Sequence, residues 1–546
     1  MTCVTALSGA RKEGTVKRKI RRVLLFPGFI FLASCGGSGR TPPPPACVDS
    51  ETIACTQSGA LQGVVESNIR AFRGIPFAAP PLGNLRWKPP APPPAWQGVR
   101  DASQFGSICT QIDFNLDLVG GEDCLFVNVF TSSPAPKSKQ PVMVFFHGGG
   151  NEAGDTHQPP FDSPSLVAGD VVVVTAEYRL GVLGFLANPL LTAEGGGTSG
   201  QYAILDMVAA LAWVKNNIAH FGGDPNHVML FGQSAGSFNI QMMLAIVPAR
   251  GLFNVAGMES GAIPALGKAP WLPTQAVADA ASAPFVAAMG CASAADVLAC
   301  LRAVPADTMV NYAWNSPFVG GPGVGSTLLP VDSLTYLQQQ GSPVPLLIGT
   351  TREEYLGVSD DPNSPLDAAG YAAEIHNEFD QFGQDVADQV LSLYPPKDYD
   401  TPEYALDAIH SDYQITCEIR NTALAAAGAQ RPPVWRYLYT HRFANSDFLA
   451  PYRAFHTAEL FFIFGDFSNV AGSEYFPTSA EAQFSLAMMG YWTRFAATGD
   501  PNGGGAVQWL PYDSANEHML QLDDTFTPIN GYHVSQCNYL STLPQP

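Results

Sequence analysis

The stretch Phe231-Gly232-Gln233-Ser234-Ala235-Gly236-Ser237 constrains this chain more than any other. It is a G-x-S-x-G pattern with a strand signal before it and a helix signal after it. Upstream, Asn226 to Phe231 is a short apolar run that follows a Gly223-Asp224-Pro225 turn. Downstream, Phe238 to Leu244 has the composition of the first turns of a buried helix. The two glycines let the chain turn sharply with no Cβ in the way. A serine at such a corner is pushed out of the sheet's end on strained backbone, where a base can reach it. The bare five-residue pattern arises by chance in Gly- and Ser-rich chains, so the flanks carry the argument.

Other segments supply the sheet. Gln62 to Val65 and Ile69 to Phe72 look like opening strands. Val142-Met143-Val144-Phe145-Phe146 and Val171 to Thr175 are continuous apolar runs, as expected of strands buried on both faces. Pro345 to Gly349 and Val434 to Tyr439 are later strands, and Asp206 to Ile218 has helical apolar spacing. This alternation predicts an α/β fold with a mostly parallel, doubly wound central sheet and helices on both faces. No repeat or long linker interrupts 47–546, which is expected to be a single catalytic domain. The stretch from about 264 to 341 is poor in strand signals and is expected to be a helical insertion over the active site.

Composition narrows the partners. The apolar fraction is 46% and the charged fraction 14%, enough for a large core in a chain of 546 residues. The formal net charge is -20. Without the basic N-terminal segment the balance is 21 basic against 47 acidic residues. Such a body repels nucleic acid and anionic lipid. No nucleic-acid partner is expected.

Residues 1–34 have the form of an export signal. Lys17-Arg18-Lys19-Ile20-Arg21-Arg22 is a positive n-region and Val23 to Ala33 an apolar h-region too short to span a bilayer. The segment ends Leu32-Ala33-Ser34-Cys35, which resembles a lipoprotein signal with Cys35 as the lipidated residue. Ordinary cleavage near Ser34 is the alternative. Residues 35–46 form a Gly/Ser/Pro tether. An exported protein of the bacterial periplasm or cell surface is expected, touching membrane only through a lipid at Cys35. No other stretch is apolar enough to cross a bilayer.

The cysteines agree with export. Ten are present; Cys3 leaves with the signal and Cys35 takes lipid, so eight remain. Eight allow 105 pairings. Sequence neighbours favour Cys47–Cys55, Cys109–Cys124 and Cys291–Cys300, which leaves Cys417–Cys537. No C-x-x-C pair or His-rich cluster points to a metal, and no cofactor motif stands out.

A neutral serine hydroxyl needs a base, and the base needs an acid to orient it. In hydrolases with this corner the order is Ser, then Asp/Glu, then His. Glu353 and Glu354 follow the strand ending at Gly349, so one of them is the acid. His456 in Ala454-Phe455-His456-Thr457-Ala458-Glu459 is the base candidate, and His441, beside a strand end, is its nearest rival. His147-Gly148-Gly149-Gly150 directly follows a strand. Bare backbone there can bring N–H donors to a developing oxyanion. Asp360-Asp361-Pro362-Asn363 is expected to be a solvated turn rather than a calcium loop, and Phe461, Phe462 and Phe464 are expected in the core.

These motifs together resemble the type-B carboxylesterase/lipase family of the α/β-hydrolase superfamily. Glu122-Asp123-Cys124-Leu125-Phe126-Val127-Asn128-Val129, Phe72-Arg73-Gly74-Ile75-Pro76, Glu177-Tyr178-Arg179-Leu180-Gly181 and Phe221-Gly222-Gly223-Asp224-Pro225 all carry the likeness. The resemblance implies a Ser234–Glu354–His456 triad, an oxyanion hole from Gly149, Gly150 and Ala235, and cleavage of small-molecule carboxylic esters through an acyl-enzyme. It implies disulfides Cys109–Cys124, Cys291–Cys300 and Cys417–Cys537, and ion pairs Arg86–Glu122 and Arg179–Asp206.

Three positions depart from the family pattern. Gln233 stands where a Glu is usual, Glu177 where an Asn is usual and Met207 where a Gln is usual. The short Cys109–Cys124 loop has no tryptophan to hold a quaternary ammonium, which argues against choline esters. Competing readings are a lipase on longer-chain glycerides, an amide or carbamate hydrolase, and a non-catalytic neuroligin-like binding module. Nothing in the sequence sets the oligomeric state.

Overall fold

Among the described residues, eleven strands form one sheet that carries every element of the candidate site. In chain order they are β1 (Val64–Glu66), β2 (Ile69–Pro76), β3 (Phe126–Ser132), β4 (Gln140–Phe146), β5 (Val172–Ala176), β6 (Gly223–Gln233), β7 (Val255–Glu259), β8 (Leu346–Thr351), β9 (Val434–Tyr439), β10 (His518–Leu522) and β11 (Thr527–Asn530). The computed structural model describes residues 47–543 except 158, 162–163, 264–271, 317–320, 358–359 and 429. The expected signal, tether and lipidated Cys35 lie outside the described residues, as does the start of the 264–341 segment.

The spatial order is β11-β10-β9-β8-β7-β6-β4-β5-β3-β2-β1. The seven strands from β10 to β5 run parallel, and antiparallel strands close both edges. This is an α/β-hydrolase fold. β5 lies on one side of β4 and β6 on the other, so the winding direction reverses there. Ligands of open α/β sheets bind outside the carboxyl ends of strands at such a switch point. Ser234 follows β6 and His147 follows β4 at that place.

The apolar runs are continuous because both sheet faces are covered. Val142, Val144 and Phe146 of β4 enter one core, with Tyr202–Asn217 and Ala235–Ala245 packed on it. Met143 and Phe145 enter the opposite core, covered by Ser479–Thr498. That helix has a capping box from Thr478 and Glu481, and Gly499 ends it at φ 74°. β6 begins at Gly223, earlier than the sequence suggests. Gly223 pairs with Gln140 before a register break at 224–227, where Pro225 has no N–H to give.

Helices dominate the described part of 264–341. Gln275–Ala281, Ala283–Ala288, Val297–Ala303, Ala306–Trp314 and Ser333–Gln340 follow one another. Phe285, Leu301 and Met309 build a satellite core with Trp87, Leu183 and Leu186. The Arg86 guanidinium ties this unit to the body. It pairs with Glu122 at 2.6 Å and donates to the Val304 carbonyl at 2.7 Å. A second helical layer (Ala368–Phe379 to Cys417–Ala426) has its own core around Tyr371, Ile375 and Ile409.

Four disulfides are formed among the described residues: Cys47–Cys55, Cys109–Cys124, Cys291–Cys300 and Cys417–Cys537. Four such bonds indicate an oxidising compartment. Cys417–Cys537 closes 120 residues and Cys47–Cys55 only 8. On loop entropy alone the first stabilises by about 5 kcal/mol and the second by about half that. Arg179 and Asp206 form a buried pair at 2.7 Å. No helix among the described residues is long and apolar enough to cross a membrane.

Candidate active site

Ser234 occupies the corner between β6 and the helix Ala235–Ala245 at φ 54°, ψ −122°. A non-glycine residue there is strained by about 1–3 kcal/mol and persists only if its surroundings force it. Three glycines provide that fit. A Cβ on Gly232 would lie 2.7 Å from the Phe146 carbonyl oxygen, one on Gly236 2.2 Å from the same atom, and one on Gly261 2.2 Å from the Ser234 carbonyl oxygen. The Ser234 N–H donates to the Glu259 carbonyl at 2.8 Å. The helix begins at Ala235, earlier than Phe238, because the elbow itself turns the chain into it.

His456 lies on the long connection after β9, and Glu354 lies just past the end of β8. The two loops are stitched together: Glu353 and Phe455 form a β-bridge, and the Glu353 N–H donates to the Ala454 carbonyl at 3.2 Å. His456 Nδ1 meets Glu354 Oε2 at 2.6 Å. Glu354 is fully buried, and its other oxygen accepts from the Thr351 N–H at 2.8 Å. Glu353 turns away and is held by Arg352 and the Ala454 N–H. The adjacent acids thus separate by their partners: Glu354 contacts the imidazole and Glu353 fixes the loop. His441 sits in another cluster, with Glu481, Asp523 and Asp524.

The glycine loop after β4 presses against the serine. A Cβ on Gly148 would lie 2.9 Å from Ser234 Cβ. Gly149 and Gly150 take φ 99° and 66°, where a side chain is disfavoured. Among the described hydrogen bonds, the N–H groups of Gly149, Gly150 and Ala235 have no protein acceptor. Gly149, Gly150, Ser234 and His456 line one cavity of about 800 Å³.

Burial lowers the affinity of His456 for a proton, but the hydrogen bond and charge of Glu354 outweigh it and raise the imidazole above its ordinary value. Behind the pair lie two further buried acids that sequence reasoning missed. Glu459 accepts from the Ser260 hydroxyl at 3.1 Å, and burial together with the Glu354 charge pushes it up to about 7. Glu259 accepts from the Trp492 indole at 2.7 Å and is raised well above the usual carboxylate range, chiefly by burial. No motif marks them as ionisable neighbours. Gln233 reaches further than its sequence suggests: its amide nitrogen lies 3.0 Å from His456 Nε2.

Phe461 lines the cavity, in contrast to its expected place in the core alone, because the start of the Ala458–Phe464 helix faces the opening just after His456. Phe462 and Phe464 are fully buried. The other described walls come from Phe114 and from 356–357, 448–457 and 469–472, not from the helices of 275–340. At 360–363, Asp360 pairs with His410 at 2.8 Å and Asp361 accepts from the Asn363 N–H, so both carboxylates have protein partners.

A parallel sheet with a strained serine at its switch point, and a carboxylate-bound histidine lining the same cavity, is the architecture of an α/β hydrolase. Residues 50–540 match the carboxylesterase family, and the chain belongs to it. The para-nitrobenzyl esterase of Bacillus subtilis (strain 168) is 35% identical over 506 residues, covering 87% of this chain and 95% of that one. The fumonisin B1 esterase of Sphingopyxis macrogoltabida is 33% identical over 489 residues, covering 86% of each chain. A solved PNB esterase superposes with TM-score 0.74 at 31% identity, covering 90% of this chain and all of that one. The chain is a carboxylic-ester hydrolase acting on small-molecule esters.

Proposed function

We propose that Ser234 is the nucleophile of this esterase, His456 its general base and Glu354 the acid that orients the imidazole. The 2.6 Å contact between His456 and Glu354, opening on the strained serine, carries this reading. His456 Nε2 takes the Ser234 proton as the hydroxyl attacks the ester carbonyl. Gln233 must first give up its contact with that nitrogen. The N–H groups of Gly149, Gly150 and Ala235 receive the oxyanion. The alcohol leaves with the proton from His456, and water then cleaves the acyl-enzyme with His456 again as base. A neutral imidazole is needed for both steps, so activity falls as pH drops through the raised His456 value.

The cavity walls are mostly apolar. Leu356, Phe455 and Phe461 line it, and Phe114 and Phe448 stand exposed on its wall. This suits aryl and short to medium acyl esters without charge. Gln233 supplies no anion for a cationic alcohol group. Hydrolysis of p-nitrophenyl esters from C2 to C16 by wild type and Ser234→Ala tests the assignment. Rates peaking at C2–C8 and abolished in the variant are expected. A profile rising to C16 would make the protein a lipase, and equal rates in both proteins would remove Ser234 from the chemistry.

The export reading completes the proposal. Signal cleavage before Cys35, lipid on its thiol and the 36–46 tether would hold the enzyme at a membrane face of the periplasm or cell surface. Metabolic labelling with a palmitate analogue should mark wild type and not Cys35→Ser; equal labelling would discard the anchor.

A further inference from the structure

Glu177 is buried directly behind the glycine loop, and catalysis as described above does not use it. Its Oε1 accepts from the Thr156 N–H at 2.9 Å and the Thr156 hydroxyl at 2.7 Å. Its Oε2 has no hydrogen-bond partner among the described residues and faces His147 Nε2 at 3.8 Å, an atom equally without one. His157 Nε2, 3.7 Å from Oε1, is a third such atom. The other ring nitrogen of His147 contacts the Gly148 carbonyl at 2.8 Å. A carbonyl only accepts, so Nδ1 carries the hydrogen there.

The Gly148 carbonyl and the Gly149 N–H belong to one peptide plane. Fixing the carbonyl on His147 therefore fixes the opposite direction of the Gly149 N–H. Gly154 leaves room for this contact: a Cβ there would lie 2.6 Å from both His147 Nδ1 and the Gly148 oxygen. Tyr178 holds the next carbonyl back, donating to His147 O at 2.8 Å while its ring stacks on the imidazole at 4.4 Å.

We propose that Glu177 is a positioning residue for the oxyanion donor Gly149, acting through the tautomer of His147, and that its deprotonation turns the donor off. The proposal rests on the assignment of Gly149 to the oxyanion hole. With both Oε1 sites taken by Thr156, a protonated Glu177 bears its hydrogen on Oε2. A closing of about 1 Å brings that hydrogen to His147 Nε2 at hydrogen-bond distance. The chain then runs from Glu177 Oε2–H to Nε2, and from Nδ1–H to the Gly148 carbonyl. Loss of the proton reverses it. The carboxylate accepts from Nε2–H, the Nδ1 lone pair faces the Gly148 oxygen, and the peptide plane is released. No bond other than O–H and N–H changes, and the proton leaves to solvent.

The surroundings keep the protonated form at neutral pH. Burial first, and the Asp155 charge second, push Glu177 up to about 8 against the pull of the Thr156 hydrogen bonds. Burial holds His147 down to about 4, with Gly148 and Asp155 opposing and His157 assisting, so it stays neutral. His157 is lowered by burial as well. Among the described residues the remaining neighbours are uncharged: Asn128 and Thr175 beneath Thr156, and Phe105 stacked on His157. Beyond Phe105, the Arg73 guanidinium is committed to Glu66.

The test is kcat for p-nitrophenyl butyrate from pH 5.5 to 10 in wild type, Glu177→Gln and Glu177→Leu. Glutamine can donate to His147 Nε2 at every pH. Wild type should lose about tenfold per pH unit above an alkaline break. Glu177→Gln should lack that break while keeping the acid limb of His456. Glu177→Leu should lower kcat about 10²-fold at pH 7 with KM within about twofold, the cost of one oxyanion donor. An alkaline break in Glu177→Gln at the wild-type pH overturns the proposal, and so does wild-type kcat in a folded Glu177→Leu. If Glu177→Leu does not fold, the glutamine profile decides. Failure of the active-site assignment has a different sign: Ser234→Ala would then stay active whatever the Glu177 profile.

Discussion

Two glutamate–histidine pairs flank the serine corner, and their protons behave in opposite ways. Glu354 and His456 touch at 2.6 Å, whereas Glu177 and His147 stand 3.8 Å apart. All four side chains are largely buried. In the first pair the hydrogen bond and charge overcome burial, and His456 gains affinity for a proton. In the second the opposing hydrogen bonds and charge do not overcome burial, so His147 loses affinity and Glu177 keeps its proton up to about 8. The two contacts differ by 1.2 Å (3.8 against 2.6 Å), and with that difference the histidine of the pair passes from raised to lowered proton affinity. The interaction of ions falls steeply once no hydrogen bond joins them, while the desolvation cost remains.

Substitutions at each pair should separate these roles. His456→Ala should reduce kcat about 10⁶-fold, as expected when the base of such a triad is lost, read by steady-state hydrolysis of p-nitrophenyl acetate. Glu354→Gln should cost about 10⁴-fold by favouring the wrong imidazole tautomer. Its neighbour Glu353→Gln should cost less than about tenfold in kcat and show instead as lost stability of about 1–3 kcal/mol in urea titration. Equal kinetic losses at 353 and 354 would break the comparison.

The second pair should show in stability. Glu177 has a folded value raised above its unfolded one, so the folded state holds the extra proton. Its contribution is full below about pH 4.5 and drains away as pH rises through about 8. Urea midpoints of Glu177→Gln should therefore decline less than wild type over that interval, by on the order of 1–3 kcal/mol at pH 8.5. Parallel declines would place the proton elsewhere. The smallest effect should come from Gln233→Glu. An anion beside His456 Nε2 favours the imidazolium, so the acid limb of kcat should move up by about one pH unit. An unmoved limb would detach Gln233 from the histidine.

The sequence makes the corner legible because its determinants are local. Gly232, Ser234 and Gly236 lie within five residues, and each glycine is required by the same tight approach to Phe146. The parallel strands are legible for a similar reason: β4 and β5 are covered on both faces, and Val142–Phe146 and Val171–Val174 are unbroken apolar runs. Glu354 needed the family pattern to be preferred to Glu353, since the choice depends on which acid finds Arg352 and which finds His456. The cavity walls were harder still. Leu356, Phe448 and Phe461 meet only through long connections, and nothing in their local spacing records that meeting. Glu177 was visible as a departure from the family, but its partners His147 and His157 come together only when β4 and β5 align. The structure gives no account of Met207 in place of the usual glutamine; it is a fully buried core residue.

Ser234 alone is expected to carry the acyl group. Intact-mass and peptide-mapping spectrometry after reaction with a p-nitrophenyl alkylphosphonate tests it most directly. One adduct per chain is expected, on the peptide bearing Ser234, with complete loss of esterase activity and no adduct in Ser234→Ala. Full activity in a stoichiometrically unlabelled protein, or an adduct on another residue that abolishes turnover, would contradict it.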